Sequence, residues 1–554
     1  MNLSTFGTRD ETRISGTQQS DFSAAGHRLR YYAGVDEPIG FANLFHFWHT
    51  KAPMKRLTAV FTLAMTVLAA HATLPQPDLI AQIYFAGAQK ISSAANANAF
   101  ANEFCSAQAL ALRTQTADKL SAFLAGWLQN NSVVVVPDGR ARLRPLLDDL
   151  QKSEWMLEAR AAAGGRPEVA LAVKVDGARA QVWQSGLKPF FPAASFTTSG
   201  GWLVFDSGSG SPRLGAVLMQ KISAPHGGWF SLDVNWPRLA QWFPELNNLG
   251  LPETAFVVTA PDSNFHIDGK FFYPEPLSLN LQPWRLPANL IHQPLNSFTA
   301  VRGFATWLKS QSWAQPYQIT PTPNEAFMWA LQGLPFQTFM ATPVPDSASA
   351  LAQTYERLQP ALTSPNPQSG SPFRFSLKKE NDRLTLMGVP MLAPYIQAEK
   401  EASDQYLFAG GFPNSPRGKP LPPELFQRLA TKNLVFYHWE ITSERVSTML
   451  QPSQLILMLA GRVQLDGNST AFKWLNTTAP RLGNTDTEIT QTAPDQLTFI
   501  RKAPGIFTSV ELYALANWLE ARNFPGCDLS PPPFKRIRHP HPSATSPAPP
   551  SSAK

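Results

Sequence analysis

The sequence predicts an α+β fold: a tandem duplication of two curved antiparallel sheets, each covered by helices on one side, with the copies related by a pseudo-two-fold. Three observations carry this expectation. Alternating apolar and polar runs arrive in pairs around turn residues, the pattern of antiparallel hairpins. Amphipathic helix patterns follow single strands, which lays a helix over a sheet face. The tetrapeptide TAPD occurs at residues 259–262 and again at 492–495, both times at the corner of a strand–turn–strand pattern. Pro suits the first corner position of such a turn, and Asp closes it by accepting from nearby amides.

The 554 residues are 44% hydrophobic and 16% charged, with 50 Pro and 2 Cys. That apolar content builds cores, which excludes disorder throughout. Two cysteines exclude a disulfide-stapled miniprotein and a Cys-rich zinc module. The proline content predicts short elements joined by rigid turns.

The chain begins with residues 1–53, which lack a clear helical or strand period and read as a gene-start artefact or a disordered extension. Residues 54–72, MKRLTAVFTLAMTVLAAHA, then give a basic start at Lys55 and Arg56, an apolar run from Leu57 to Ala70, and small residues around His71. This is a secretory signal with cleavage between Ala72 and Thr73. The run is too short to span a hydrocarbon core of ~30 Å, so no membrane span is expected after cleavage. The expected location is the periplasm, the cell surface or the medium.

The first copy is expected over 73–312. It opens with strand-then-helix QIYFAGAQKI from Gln82, followed by an insertion at about 87–165 with helices from Thr116 and Arg142. A hairpin VALAVKVDGARAQVW from Val169, a strand WLVF from Trp202, and strand-then-helix GWFSLDVNWPRLAQWF from Gly228 come next. The TAPD hairpin, an irregular proline-bearing connection and a helix FTAVRGFATWL from Phe298 close the copy. The second copy, 313–527, matches segment for segment: QTFMATPVPD from Gln337, the hairpin from Phe373, YLFA from Tyr406, and LVFYHWEITSERVSTML from Leu434. Its own TAPD hairpin precedes a helix FTSVELYALANWL from Phe507. That last helix has a capping box, Thr508 with Glu511, and Leu512, Leu515 and Leu519 on one face. Trp307 and Trp518 occupy equivalent helix positions, where packing is expected. Residues 528–554 form a proline-rich basic tail too polar to order itself.

Charge narrows the partners. Residues 1–72 hold 7 Lys/Arg and 5 Asp/Glu; the tail sets Lys535, Arg536, Arg538 and Lys554 against Asp528. Of the formal +7, the body 73–527 therefore keeps +2. Nucleic-acid binding needs a concentrated cationic stripe, and this body has none. The tail, with His539 and His541, offers contact to an anionic cell-envelope polymer; the alternative is a solvated tail. Another exported protein is the other class of partner.

The opening strand LIAQIYFAG, the segments FTAVRGFATWL and TAPDQLTFIRKAP, and the closing ALANWLE look like a group of uncharacterised exported bacterial proteins. Those proteins carry signal peptides and repeated strand–helix–hairpin units. The resemblance implies location and fold and transfers no catalytic residue.

Motifs for chemistry are scarce. His226, His266, His292 and His438 show no metal-ligand spacing, and no cofactor motif occurs. His266 and His438 fall in strand patterns. Ser207, Ser209 and Ser211 lie in the glycine-rich FDSGSGSPRLG, which lacks the G-x-S-x-G of a nucleophile elbow and reads as a linker. Asp233, Glu253, Asp268 and Glu440 are the acids available for a carboxylate pair. Cys105 and Cys527 allow a disulfide clamping the ends of the body, or two separate thiols.

Three functions follow in order: a non-catalytic exported scaffold or binding protein, a carrier of an apolar or sugar ligand in a sheet concavity, and a glycan-directed hydrolase. An aromatic-lined cavity favours the second; a cleft with two carboxylates of opposed pKa favours the third.

Overall fold

Hydrogen-bonded ladders decide the architecture. The computed structural model describes residues 78–525, apart from short internal segments of which the longest are 364–374, 414–425 and 450–466. Residues 1–53, the expected signal segment 54–72, the tail 528–554 and Cys527 lie outside the described residues.

The first half contains strands β1 (Leu79–Phe85), β2 (Trp155–Arg160), β3 (Glu168–Lys174), β4 (Ser195–Ser199), β5 (Trp202–Asp206), β6 (Phe230–Val234), β7 (Glu253–Thr259) and β8 (Phe265–Phe272). Its helices are α1 (Ala88–Ser92), α2 (Asn98–Phe104), α3 (Ala107–Asn130), α4 (Gly139–Lys152), α5 (Gly177–Leu187), α6 (Leu214–Ile222) and α7 (Trp236–Leu239). The second half contains β9 (Leu295–Arg302), β10 (Glu325–Leu331), β11 (Thr338–Val344), β12 (Ser376–Glu380), β13 (Arg383–Met387), β14 (Tyr395–Glu401), β15 (Asp404–Gly410), β16 (Leu434–Ile441), β17 (Asn484–Ala493) and β18 (Gln496–Ala503). Helices α8 (Ala305–Ser310), α9 (Ser347–Thr363), α10 (Thr470–Thr478) and α11 (Ser509–Glu520) accompany them.

The α+β class stands. The expected pair of sheets does not: the described strands form one 18-stranded sheet. Its spatial order is β4-β5-β3-β2-β1-β6-β7-β8-β18-β17-β16-β9-β10-β11-β15-β14-β13-β12, antiparallel throughout. The merger occurs at β8 and β18, where Phe265–Phe272 pairs with Gln496–Ala503 along its whole length. In each half the first strand, β1 or β9, sits inside the sheet between the second strand and β6 or β16. Each of these strands is followed by a positive-φ glycine, Gly87 or Gly303, both at φ 85°.

Several expected elements change. The segment from Val169 is not a hairpin but β3 followed by α5, because the Asp176 side chain caps the helix by accepting from the Arg179 amide. The matching segment from Phe373 is a hairpin, β12–β13, so these two do not correspond. Phe298–Arg302 finishes β9 and only Ala305–Ser310 is helical. The helix expected from Arg142 runs only within α4, and Trp155–Arg160 is strand β2. A boundary at 312 would assign β9 to the first copy, away from both of its pairing partners, β10 and β16. Trp307 is 53% exposed, whereas Trp518 stacks edge-on to Phe524 at 4.8 Å. The TAPD hairpins β7–β8 and β17–β18 and the Thr508–Glu511 capping box form as the residues dictate.

Helices cover both faces of the first half, not one. On one face α6 packs Leu214 and Leu218 against Ala170, Ala172 and Val204. On the other, α3 and α4 bury Ala125, Leu128, Leu143 and Leu146 with Trp183 of α5. Helix α3 also reaches the second half: Ala109 and Leu112 pack with Trp474, Leu475, Leu512 and Ala516. The Lys119 ammonium donates to the Leu519 carbonyl at 2.5 Å.

At the seam, Gly269 lies opposite Phe256 on one side and Phe499 on the other. Those rings meet edge-to-face at 5.5 Å. A Cβ on Gly269 would come within 2.1 Å of the Phe256 ring. Gly269→Val should therefore destabilise the protein by about 2–3 kcal/mol. Urea unfolding checks this; an unchanged midpoint would show that the seam tolerates displaced rings.

Candidate functional site

Register assembles a strongly aromatic chamber in the first half. Trp155 pairs with Phe85, Phe85 with Phe230, and Phe230 with Val258. Directly paired residues point to the same face, so these four make a single row across β2, β1, β6 and β7. Gly87 then turns the chain sharply; a Cβ there would lie 2.6 Å from the Glu154 amide. The turn sends α1 over the strand ends instead of away from them. Helices α1 to α4 arch above the row and leave a cavity of about 370 Å³.

Its walls are Phe85, Trp155, Trp229, Phe230, Val258 and Phe265 from the sheet side. The helices contribute Ala88, Ile91, Phe100, Phe104, Arg113, Leu150 and Gln151, and Ile506 comes from the segment after β18. Ring edges meet ring faces: Phe100 on Trp229 at 6.3 Å and Trp229 on Phe265 at 5.9 Å. The rings make most of this lining apolar and favour apolar surface. Arg113 and Gln151 are the polar members, with Arg113 Nε donating to Gln151 Oε1 at 3.3 Å.

Behind the wall lies Glu103, fully buried on α2. Its Oε2 accepts from the Ile506 amide at 2.9 Å, and Trp474 Nε1 donates to its backbone carbonyl at 3.0 Å. Among the described residues its Oε1 finds no partner. Burial, reinforced by Glu511 nearby, raises its pKa to about 8 despite the Ile506 hydrogen bond. Sequence reasoning passed over Glu103, because a single acid in a short helix carries no sign of its surroundings.

Glu440 is the opposite case. It is fully buried on β16 and accepts from the Ser509 amide and hydroxyl, both at 2.6 Å, and from Thr442 Oγ1 at 2.9 Å. Burial opposes its ionisation, but His438 and these hydrogen bonds prevail and hold its pKa near 2. Glu440 thus anchors the amino end of α11, where a carboxylate also suits the helix dipole. On the same face His438 Nδ1 lies 2.8 Å from Thr299 Oγ1 and its Nε2 3.4 Å from Glu440 Oε2. Hydroxyl, imidazole and carboxylate are aligned, but acyl transfer also needs free donors for an oxyanion. The backbone amides here belong to the ladders of β9 and β16.

The other expected candidates are dispersed. Asp233 is on β6 and Asp268 is exposed on β8, while Glu253 accepts from Asn235 Nδ2 at 2.7 Å. The carboxyls of opposed pKa, Glu103 and Glu440, are both sealed from solvent and do not border a cleft. His226 stacks on Tyr84 at 4.2 Å, and His266 faces Asp262 at 3.2 Å; His292 lies in the connection before β9. Ser207 pairs with the backbone of Val169, and Asp206 organises the glycine-rich loop by accepting from Gly208 and Gly215 amides. Ser209 and Ser211 lie outside the described residues. Cys105 is exposed and free. No group of three or more metal-ligating side chains occurs among the described residues, and no described helix is long and apolar enough to cross a membrane.

The comparisons add nothing to this geometry. No protein family, curated protein or solved structure matches the chain.

Glu103 generates a pH prediction. An unfolded chain releases this proton near pH 4.3, the folded protein only near 8. The stability that Glu103 contributes is full below about pH 4.3 and is lost as pH rises to 8. Glu103→Gln should therefore gain on the order of 5 kcal/mol over wild type at pH 8 and little at pH 4. Thermal unfolding across that range checks it; a constant difference would place the carboxyl in contact with water.

Proposed function

We propose that this chain is an exported, non-catalytic binding protein that carries a small apolar ligand in the aromatic chamber of its first half. The carrying observation is the chamber itself: seven aromatic side chains around about 370 Å³, within the volume range of small-molecule sites. Phe85, Phe104, Trp155, Trp229 and Phe230 are only half-buried, which suits a chamber that a ligand enters from solvent.

Export rests on the segment 54–72. The expected outcome is a mature chain starting at Thr73, read by amino-terminal sequencing of protein recovered outside the cytoplasm. An uncleaved chain confined to the cytosol would remove that part of the proposal.

We read the two halves as tandem copies. Support comes from the shared placement of β1 and β9, the Gly87 and Gly303 turns, and the helix caps Asp176 and Asp346, which accept from Arg179 and from Ala348 and Ser349 amides. On this reading the copies have diverged in function. Where the first half has the Ile83–Leu232 pair, the second has the Thr299–His438 pair. Met328 and Met340, each 42% exposed, continue that face, and they favour a second reading in which this face meets a protein partner.

The test of the leading reading is a titration with the neutral fluorophore N-phenyl-1-naphthylamine. Wild type should bind it saturably. Ala88→Phe fills the chamber from α1, should weaken binding at least about tenfold, and should change stability by about 1 kcal/mol or less. Equal binding by both proteins would contradict the proposal.

A further inference from the structure

Arg113 is out of character with the wall it belongs to. Twelve of the fourteen lining residues are apolar, and the exceptions, Arg113 and Gln151, touch each other. Among the described residues Gln151 is the recorded polar partner of Arg113, through Nε at 3.3 Å. The guanidinium has five donor hydrogens, so its two terminal nitrogens are not engaged by that contact. The acid whose charge reaches Arg113, Asp148, is itself paired with Arg144. Burial lowers the pKa of Arg113, and the countering influences, Cys105 and Asp148, are weaker. A part-buried guanidinium with no carboxylate among the described residues bonded to its terminal nitrogens is well placed to receive an anionic group.

We infer that the ligand is an amphiphile with a carboxylate head, its apolar body among the aromatic rings and its head on the Arg113 guanidinium. This rests on the binding role proposed for the chamber and names the ligand class. Arg113 projects from α3 beside Gln151 of α4, so the head would sit at the helical wall while the chain points toward the row Trp155, Phe85 and Phe230. The planar guanidinium matches a carboxylate through two parallel hydrogen bonds. Gln151 is placed to orient Arg113 and to donate its own amide to the same head.

The experiment compares decanoate with decanol as competitors of the neutral fluorophore on the intact body. Wild type should prefer decanoate roughly tenfold or more, the usual scale for a charge-assisted contact. That preference should fade as pH drops through the titration of the fatty acid, while decanol stays flat. Arg113→Met should abolish the preference, with decanoate then binding no better than decanol; Arg113→Lys should retain part of it. Decanol binding as tightly as decanoate in wild type at neutral pH, with Ala88→Phe still blocking both, would overturn the carboxylate inference alone. Failure of both competitors, with the fluorophore insensitive to Ala88→Phe, would instead overturn the chamber's binding role. The pH arm uses only wild-type protein, so the inference stays open to refutation even if Arg113→Met does not fold.

Discussion

The antiparallel pairing of β8 with β18 is the contact on which the rest depends. Eight residues from each half exchange ladder hydrogen bonds there, and two sheets become one. The same pairing carries the chain after β18 across to the first half, where Ile506 becomes a chamber wall and its amide reaches Glu103. Helix α3 reinforces the union from above, packing on α10 and α11 at one end and on α4 and α5 at the other. Without the seam, the chamber would lose Ile506 and the helical roof would lose half its support. The candidate site therefore belongs to the whole sheet, although nearly all of its residues come from the first half.

Polar chemistry in the second half has a structural logic. Glu440 holds the start of α11 through Ser509, and Arg501 holds Glu511 in a two-point contact at 2.8 and 3.0 Å. Both interactions fix the helix that α3 leans on. Buried ionised groups survive only when hydrogen bonds replace water, and Glu440 has three such bonds. Glu103 has one and stays protonated at neutral pH. The contrast between these two acids is one of partners, since both are fully buried.

Local signals in the sequence translated well into structure. Alternation with a TAPD corner gives β7–β8 and β17–β18, and Thr508 with Glu511 gives the cap of α11. Ambiguity entered where one dipeptide supports two structures: Asp176–Gly177 reads equally as a hairpin turn and as a helix start, and the helix prevailed because α5 buries Ala180 and Trp183 against α4 and β3. β9 was misplaced because its apolar run Phe298–Val301 shows no period that separates strand from helix. The chamber was not legible at all. Trp155, Phe85 and Phe230 become neighbours only through cross-strand register, which joins positions far apart in the chain. Arg113 likewise looks like one more polar residue on a helix until the wall around it is known.

The central claim is that an apolar ligand occupies the space between the aromatic row and helices α1 to α4. Xenon enters dry apolar cavities and marks them by its electron density, so diffraction from crystals of the body pressurised with xenon tests the claim most directly. The account predicts the strongest xenon peak inside the ring of Phe85, Trp155, Phe230 and Ile506. A chamber without xenon, with the strongest peak instead beside Met328 and Met340 on the second half, would contradict it.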